Sequence, residues 1–208
     1  MIPIDLLLLF VVASAALAVA PGPDNIFVLT LAAVHGRKAG MLVTLGLCTG
    51  LLVHIAAVVL GVAALFKTSV MAFTALKIVG AVYLLYLAWQ SFSAGRARLT
   101  ASSEKPLGAK ALYLRGIFMN VTNPKVAIFF LAFLPQFADP VRGSIPLQIL
   151  ILGAAFMLTA LIIFSLIAWG AGWIGDWLKK SERAQIYINR LAGTVFVLLA
   201  CRLLFIKP

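Results

Sequence analysis

Six apolar runs divide the chain, at about residues 4–34, 40–65, 70–92, 114–134, 146–174 and 189–206. A bilayer core of ~30 Å needs about 20 apolar residues when crossed by a helix rising 1.5 Å per residue. Strands of a transmembrane barrel would alternate in polarity over ~10 residues, and these runs do not alternate. The pattern predicts an all-α integral membrane protein with six transmembrane helices. The one real linker is the polar stretch Ser93–Lys110, SAGRARLTASSEKPLGAK, near the middle of the chain. A single transmembrane domain over 1–208 is expected, with a first repeat at about 1–95, a linker at about 93–113 and a second repeat at about 114–208.

Composition agrees with that picture. Of 208 residues, 63% are hydrophobic and 11% charged, with a mean hydropathy of +1.11. Soluble domains carry about 45–50% apolar and about 25% charged residues. A soluble enzyme, a nucleic-acid binder and a disordered chain are excluded. The net charge of +11 marks cytoplasmic loops facing anionic lipid. Alternate loops put Arg37, Lys38, Arg96, Arg98, Lys105, Lys110, Arg115, Lys179, Lys180, Arg183 and Arg190 on one side. The other side holds Lys67, Arg142, Arg202 and Lys207. Six spans with both termini outside the cytoplasm follow. Ala18-Val19-Ala20 looks like a signal-peptide end, but Asp5 stands where a basic region belongs, so an uncleaved first span is expected. Cys48 and Cys201 lie in apolar runs and are not expected to pair.

The two halves resemble each other. Pro23-Asp24 aligns with Pro124-Lys125, and Lys77-Ile-Val-Gly80-Ala-Val-Tyr83 with Arg190-Leu-Ala-Gly193-Thr-Val-Phe196. Three helices per half is an odd number, so the second copy enters from the opposite side, as an inverted 3+3 repeat. Chance likeness between apolar segments is the competing explanation. Pro21-Gly22-Pro23 interrupts a first run too long for one straight span, and Asn123-Pro124 interrupts the fourth. Proline removes a backbone donor and clashes with the preceding turn, so helices 1 and 4 are predicted to break at Pro21, Pro23 and Pro124. Broken helices at matching places point to a midplane binding site, whereas a plain kink is the simpler alternative.

Pro21-Gly22-Pro23-Asp24-Asn25 followed by His35-Gly36-Arg37-Lys38-Ala39-Gly40 resembles the LysE/RhtB family of bacterial amino-acid exporters. So do Gly46-x-x-x-Gly50-x-x-x-His54, Leu76-Lys77-x-x-Gly80-Ala-x-Tyr83-Leu-x-Tyr86-Leu and Asn120-x-x-Asn123-Pro124-Lys125-x-x-x-Phe129-Phe130-x-x-Phe133-Leu134-Pro135-Gln136-Phe137. The likeness covers essentially the whole chain. It implies a multi-pass plasma (inner) membrane transporter exporting amino acids or close derivatives in exchange for protons, with no cofactor and no enzymatic step. It does not place the chain among subfamilies, and it leaves self-association open.

Ionisable residues inside a membrane are costly and are functional candidates by default. Asp24, in the first turn of a half-helix opened by Pro23, sits where the helix dipole favours a carboxylate. It reads equally well as an ordinary first-turn acid and as a site for a substrate ammonium or a proton. Lys125 occupies the matching place with Asn123 as N-cap, where the dipole opposes a cation, so it requires a partner or a purpose. An amino acid offers an ammonium to Asp24 and a carboxylate to Lys125, and the two residues are expected to pair with each other when the site is empty. Half-helix amides after Gly22 and Asn123 add an anion site. Asn25, Asn120, Thr122 and Asn123 supply neutral hydrogen bonds. His54 shares a helical face with Gly46 and Gly50, whose small size permits close helix packing. It is either a hydrogen-bonded core histidine or, with Asp24, a proton carrier. Lys77 and Arg190 can snorkel to the interface. Tyr83, Tyr86, Trp89, Trp169, Trp173 and Trp177 fit an interfacial belt or the core. Export of a divalent metal is the alternative function. Soft metals need clustered Cys or His, and those residues are scattered here. An intramembrane lipid enzyme is a third reading, for which no HExxH, acid pair or Ser/His/Asp set appears.

Overall fold

The computed structural model describes residues 2–20, 22–68, 70–93, 107–172 and 182–205. Pro21, most of the linker with Arg96, Arg98, Ser102 and Lys105, and Trp173, Trp177, Lys179, Lys180 and Lys207 lie outside the described residues. So do the side chains of Lys67, Lys77 and Arg183. Among the described residues every regular element is helical. The order is α1 (Ile4–Val19), α2 (Pro23–His35), α3 (Arg37–Thr68), α4 (Val70–Ser93), α5 (Ala109–Val121), α6 (Pro124–Ile128), α7 (Ile145–Trp169) and α8 (Glu182–Phe205). Helix α6 runs on through a π-helical stretch, Phe129–Phe133, and a 3-10 turn, Leu134–Phe137.

Among the described residues three stretches are long and apolar enough to cross a bilayer: Arg37–Gly61, Ile145–Trp169 and Gln185–Leu204. Two bent pairs raise the number to five if each counts as one span. Helices α1 and α2 meet at 59°, and Ala109–Val121 meets Pro124–Phe137 at 50°. The long first run is thus two helices. The fourth begins earlier than the apolar pattern indicates, at Ala109.

Side chains are distributed as a lipid solvent requires. Leu8, Val12, Leu60, Leu158 and Leu166 point outward, while Ser14, Asp24, Thr44, His54, Asn120, Asn123 and Gln148 are buried. Without a hydrophobic drive between helices, close approach decides which pairs associate. Helix α3 packs along α5 and against α7; α4 packs on α8, and α1 on α7 and α8. At the α3–α5 crossing, a β-carbon at Gly46 would fall 2.1 Å from the Tyr113 carbonyl oxygen, and one at Gly116 2.5 Å from that of Val43. Gly50 adds a third close approach, where a β-carbon would fall 3.0 Å from the Ile117 carbonyl oxygen. Phe129 stacks on Phe133 with centroids 4.8 Å apart and on Phe156 at 5.3 Å, and Phe10 meets Phe137 at 5.1 Å. These rings fix the segment after α6 to α1 and α7, and so fix the second helix break.

Candidate functional site

Each break is built from a helix end and a proline-led helix start. Helix α1 closes at its C-cap Ala20, whose N–H donates to the Ala16 carbonyl at 2.8 Å. Gly22 is the extended N-cap of α2, and Pro23 is the first helical residue, where a missing N–H costs nothing. At the second break Thr122 is the C-cap of α5. Asn123 caps α6, its Oδ1 accepting from the Lys125 N–H at 3.0 Å, and Pro124 follows at the first helical position.

The side chains that follow cross from one break to the other. Asp24 is 4% exposed, and its Oδ2 accepts from Nδ2 of Asn120, itself 1% exposed, at 3.3 Å. Lys125 donates from Nζ to the Ala20 carbonyl at 2.7 Å. That carbonyl belongs to the negative end of α1. The lysine that opposes its own helix dipole therefore lies along a favourable one from the other half. A β-carbon at Gly22 would stand 3.2 Å from Nζ, so the bare glycine gives the ammonium its room. The direct Asp24–Lys125 pair expected from the sequence is not formed: among the described residues neither takes part in an ion pair within 4.0 Å. The amide of Asn120 and the carbonyl of Ala20 have taken their places.

His54 is buried against the same corner. Its Nε2 lies 3.1 Å from the main-chain oxygen of Asn120, and its ring lies 5.8 Å from that of Phe130. A carbonyl only accepts, so Nε2 carries the hydrogen. Gly50 permits this approach, because a β-carbon there would sit 2.8 Å from Asn120 Cβ.

Between the breaks lies a cavity of about 20 Å³, the size of one water molecule. Asp24, Asn25, Asn120, Asn123 and Lys125 form its polar side. Two acceptors there, Oδ1 of Asp24 and Oδ1 of Asn120, are buried without a donor. Asn25 gives its amide to the Ala18 carbonyl. Five of the residues singled out in the sequence therefore converge. Thr122 does not: it is exposed, with its hydroxyl donating to the Phe118 carbonyl at 2.8 Å. Gly22 borders the site only through Lys125, and His54 only through Asn120. The sequence reading missed the Ala20 carbonyl, which no side-chain pattern reveals. It also missed an apolar wall that includes Phe156, Ala160 and Phe164, for which the spacing of four along α7 was the available signal.

No three of His, Cys, Asp and Glu come together among the described residues. Cys48 is buried and free, and Cys201 exposed and free. Arg37 lies 5.1 Å from the ring of Trp169, and Arg115 lies 5.1 Å from that of Phe27, both distant in role from the cavity.

Comparison with known proteins adds an independent line. Residues 15–206 match the family described as LysE type translocator. A homoserine/homoserine lactone efflux protein of Salmonella typhimurium is 32% identical over 194 residues, covering 93% of each chain. A leucine efflux protein of an Enterobacter species is 29% identical over 195 residues, 93% of this chain and 92% of its own. A membrane protein of Vibrio cholerae without an assigned activity is 32% identical over 192 residues, 91% and 92%. No solved structure matches the chain.

Proposed function

The chain belongs to the LysE type translocator family, and from that premise we propose that this multi-pass membrane protein exports an amino acid or close derivative across the bacterial plasma membrane in exchange for protons. The observation that carries this reading is the pair of buried, donor-less oxygens on Asp24 and Asn120 beside the Lys125 ammonium. An amino-acid ammonium brings three donors to those acceptors. Its carboxylate replaces the Ala20 carbonyl on Lys125, so the ammonium exchanges a neutral acceptor for an ionised one. Asn25 and Asn123 border the same space; the Lys125 N–H at the start of α6 is already held by the Asn123 side chain. Asp24 also serves as the proton site, since a proton and a substrate ammonium compete for one carboxylate. His54, the second proton candidate, acts on that carboxylate only through Asn120.

A water-sized cavity admits an amino acid only when the breaks separate, as rocking of one repeat against the other provides. The proposed frame is six spans in an inverted 3+3 repeat, broken at the prolines of spans 1 and 4, with both termini periplasmic. Mirrored packing supports it: α3 on α5 has its counterpart in α7 on α1, while α3–α7 and α4–α8 each pair equivalent helices. Metal export is not carried forward, because the named relatives move homoserine, its lactone and leucine. Purified protein in vesicles preloaded with a panel of amino acids tests the reading. Efflux above protein-free vesicles, quickened by an inward proton gradient, is expected. Release of none of the panel overturns it.

A further inference from the structure

Asp24 and Lys125 are the ionisable groups bordering the cavity, and both are engaged by the ammonium and carboxylate that all amino acids share. What distinguishes one amino acid from another must meet the rest of the lining. Beyond Asn25, Asn120 and Asn123, which flank the two charges, that remainder is apolar and includes Leu17 of α1, Leu51 of α3, Val126 of α6, and Phe156, Ala160 and Phe164 of α7. The three α7 residues are four apart, so they stack on one face, and all are buried. Ala160 leaves a notch between the two phenylalanine positions. Phe156 is held by Phe129 at 5.3 Å and by Phe130 at 4.9 Å, edge-on, which makes one side of the notch rigid.

We propose that this wall is the side-chain subsite, that it selects an uncharged aliphatic side chain, and that residue 160 sets how large that side chain can be. The inference rests on the export reading above. A lysine, arginine or glutamate side chain would place a charge against Leu51, Val126 and Phe164 with no counter-charge left to meet it, and an unpaired buried charge is strongly disfavoured. Aliphatic side chains bring no charge to that wall and, once the breaks have separated, gain contact with the rings. Bulk at position 160 fills the notch, and truncation at 164 deepens the pocket beside it.

The test uses the intact protein in vesicles loaded in parallel with leucine, alanine, phenylalanine, lysine and glutamate. Leucine efflux is expected to exceed that of lysine and glutamate by at least about 100-fold. Ala160→Leu lowers leucine efflux by at least about 10-fold and leaves alanine within a few-fold, as expected for a change of a few methylenes in an apolar pocket. Phe164→Ala raises phenylalanine relative to leucine by about 10-fold, a gain that a misfolded protein cannot mimic. Export of lysine or glutamate as fast as leucine overturns the selectivity. Unchanged ratios among leucine, alanine and phenylalanine in both variants overturn the subsite. If no amino acid leaves the vesicles, the export reading itself has failed and this inference falls with it.

Discussion

The ammonium of Lys125 rests 2.7 Å from the carbonyl oxygen of Ala20, the residue that caps the C-terminal end of α1. A cation at the start of one half-helix thus rests against the negative end of a helix 105 positions earlier, and it forms no ion pair with the Asp24 carboxylate within 4.0 Å. The two charges lie at one cavity without being spent on each other, which is the condition a zwitterion needs to find both ends of a site.

Lys125→Met removes that cation from the end of α1. Hydrogen bonds to charged groups contribute about 1.5–3 kcal/mol, so thermal unfolding in detergent should show a loss of that order. Vesicle efflux should fall to background. A variant that unfolds normally and still transports would detach Lys125 from both roles.

Asp24→Asn should abolish efflux, and its energetic partner should be Asn120 rather than Lys125. In double-mutant cycles on thermal stability, Asp24→Asn with Asn120→Ala should show a coupling of about 0.5–3 kcal/mol, the range for residues in contact. The cycle of Asp24→Asn with Lys125→Met should show less. A larger coupling in the second cycle would mean that the charges pair directly after all.

Much of this site could be read from the chain, and the unread part has a physical cause. Prolines at 23 and 124 announce the helix starts because proline suits the first turn, and Asp24, Asn25, Asn120, Asn123 and Lys125 follow from their positions around those starts. Thr122 lies away from the cavity because threonine in or beside a helix commonly turns its hydroxyl back onto the preceding turn, as it does onto Phe118. The partner of Lys125 was illegible because a backbone oxygen has the same chemistry at every residue, and only the fold selects Ala20. Apolar residues such as Ala160 were hidden by abundance: in a chain this hydrophobic, lipid-facing and cavity-facing positions use the same letters. The number of crossings was equally hard to read, because bent pairs and straight helices give the same apolar signal.

Gly46→Ala or Gly116→Ala should force α3 and α5 apart, because each added methyl meets a main-chain carbonyl inside 3 Å. Overpacking costs typically 1–3 kcal/mol, occasionally more, so the unfolding midpoint should drop. Efflux should fall with it as Asn120 loses its position. Gly61→Ala, with nothing within 4 Å, is the control expected to behave as wild type.

His54→Gln retains a side-chain N–H for the Asn120 carbonyl, whereas His54→Leu does not. Efflux should survive within a few-fold in the first and drop at least about 10-fold in the second, the scale of a lost buried hydrogen bond. If the glutamine variant transports but no longer responds to a proton gradient, the histidine carries the proton and Asp24 does not act alone.

Topology is checked by cysteine labelling in a Cys201→Ser background, since Cys201 is exposed. A cysteine at Val141, 93% exposed between α6 and α7, should react with an impermeant reagent from outside. One at Ser102 should react only after the membrane is opened. The reverse pattern would overturn the proposed orientation.

The crossed contacts between the breaks also set an order of events while the chain is being made. Asn120 is 96 residues behind Asp24, and Lys125 is 105 behind Ala20. At roughly 5–20 residues per second, the first break waits several seconds or more before the residues that complete it leave the ribosome. During that interval a carboxylate has entered the insertion machinery with no final partner. The first half therefore cannot complete its own break, and a ribosome stalled in the linker leaves behind an incomplete product rather than half a transporter.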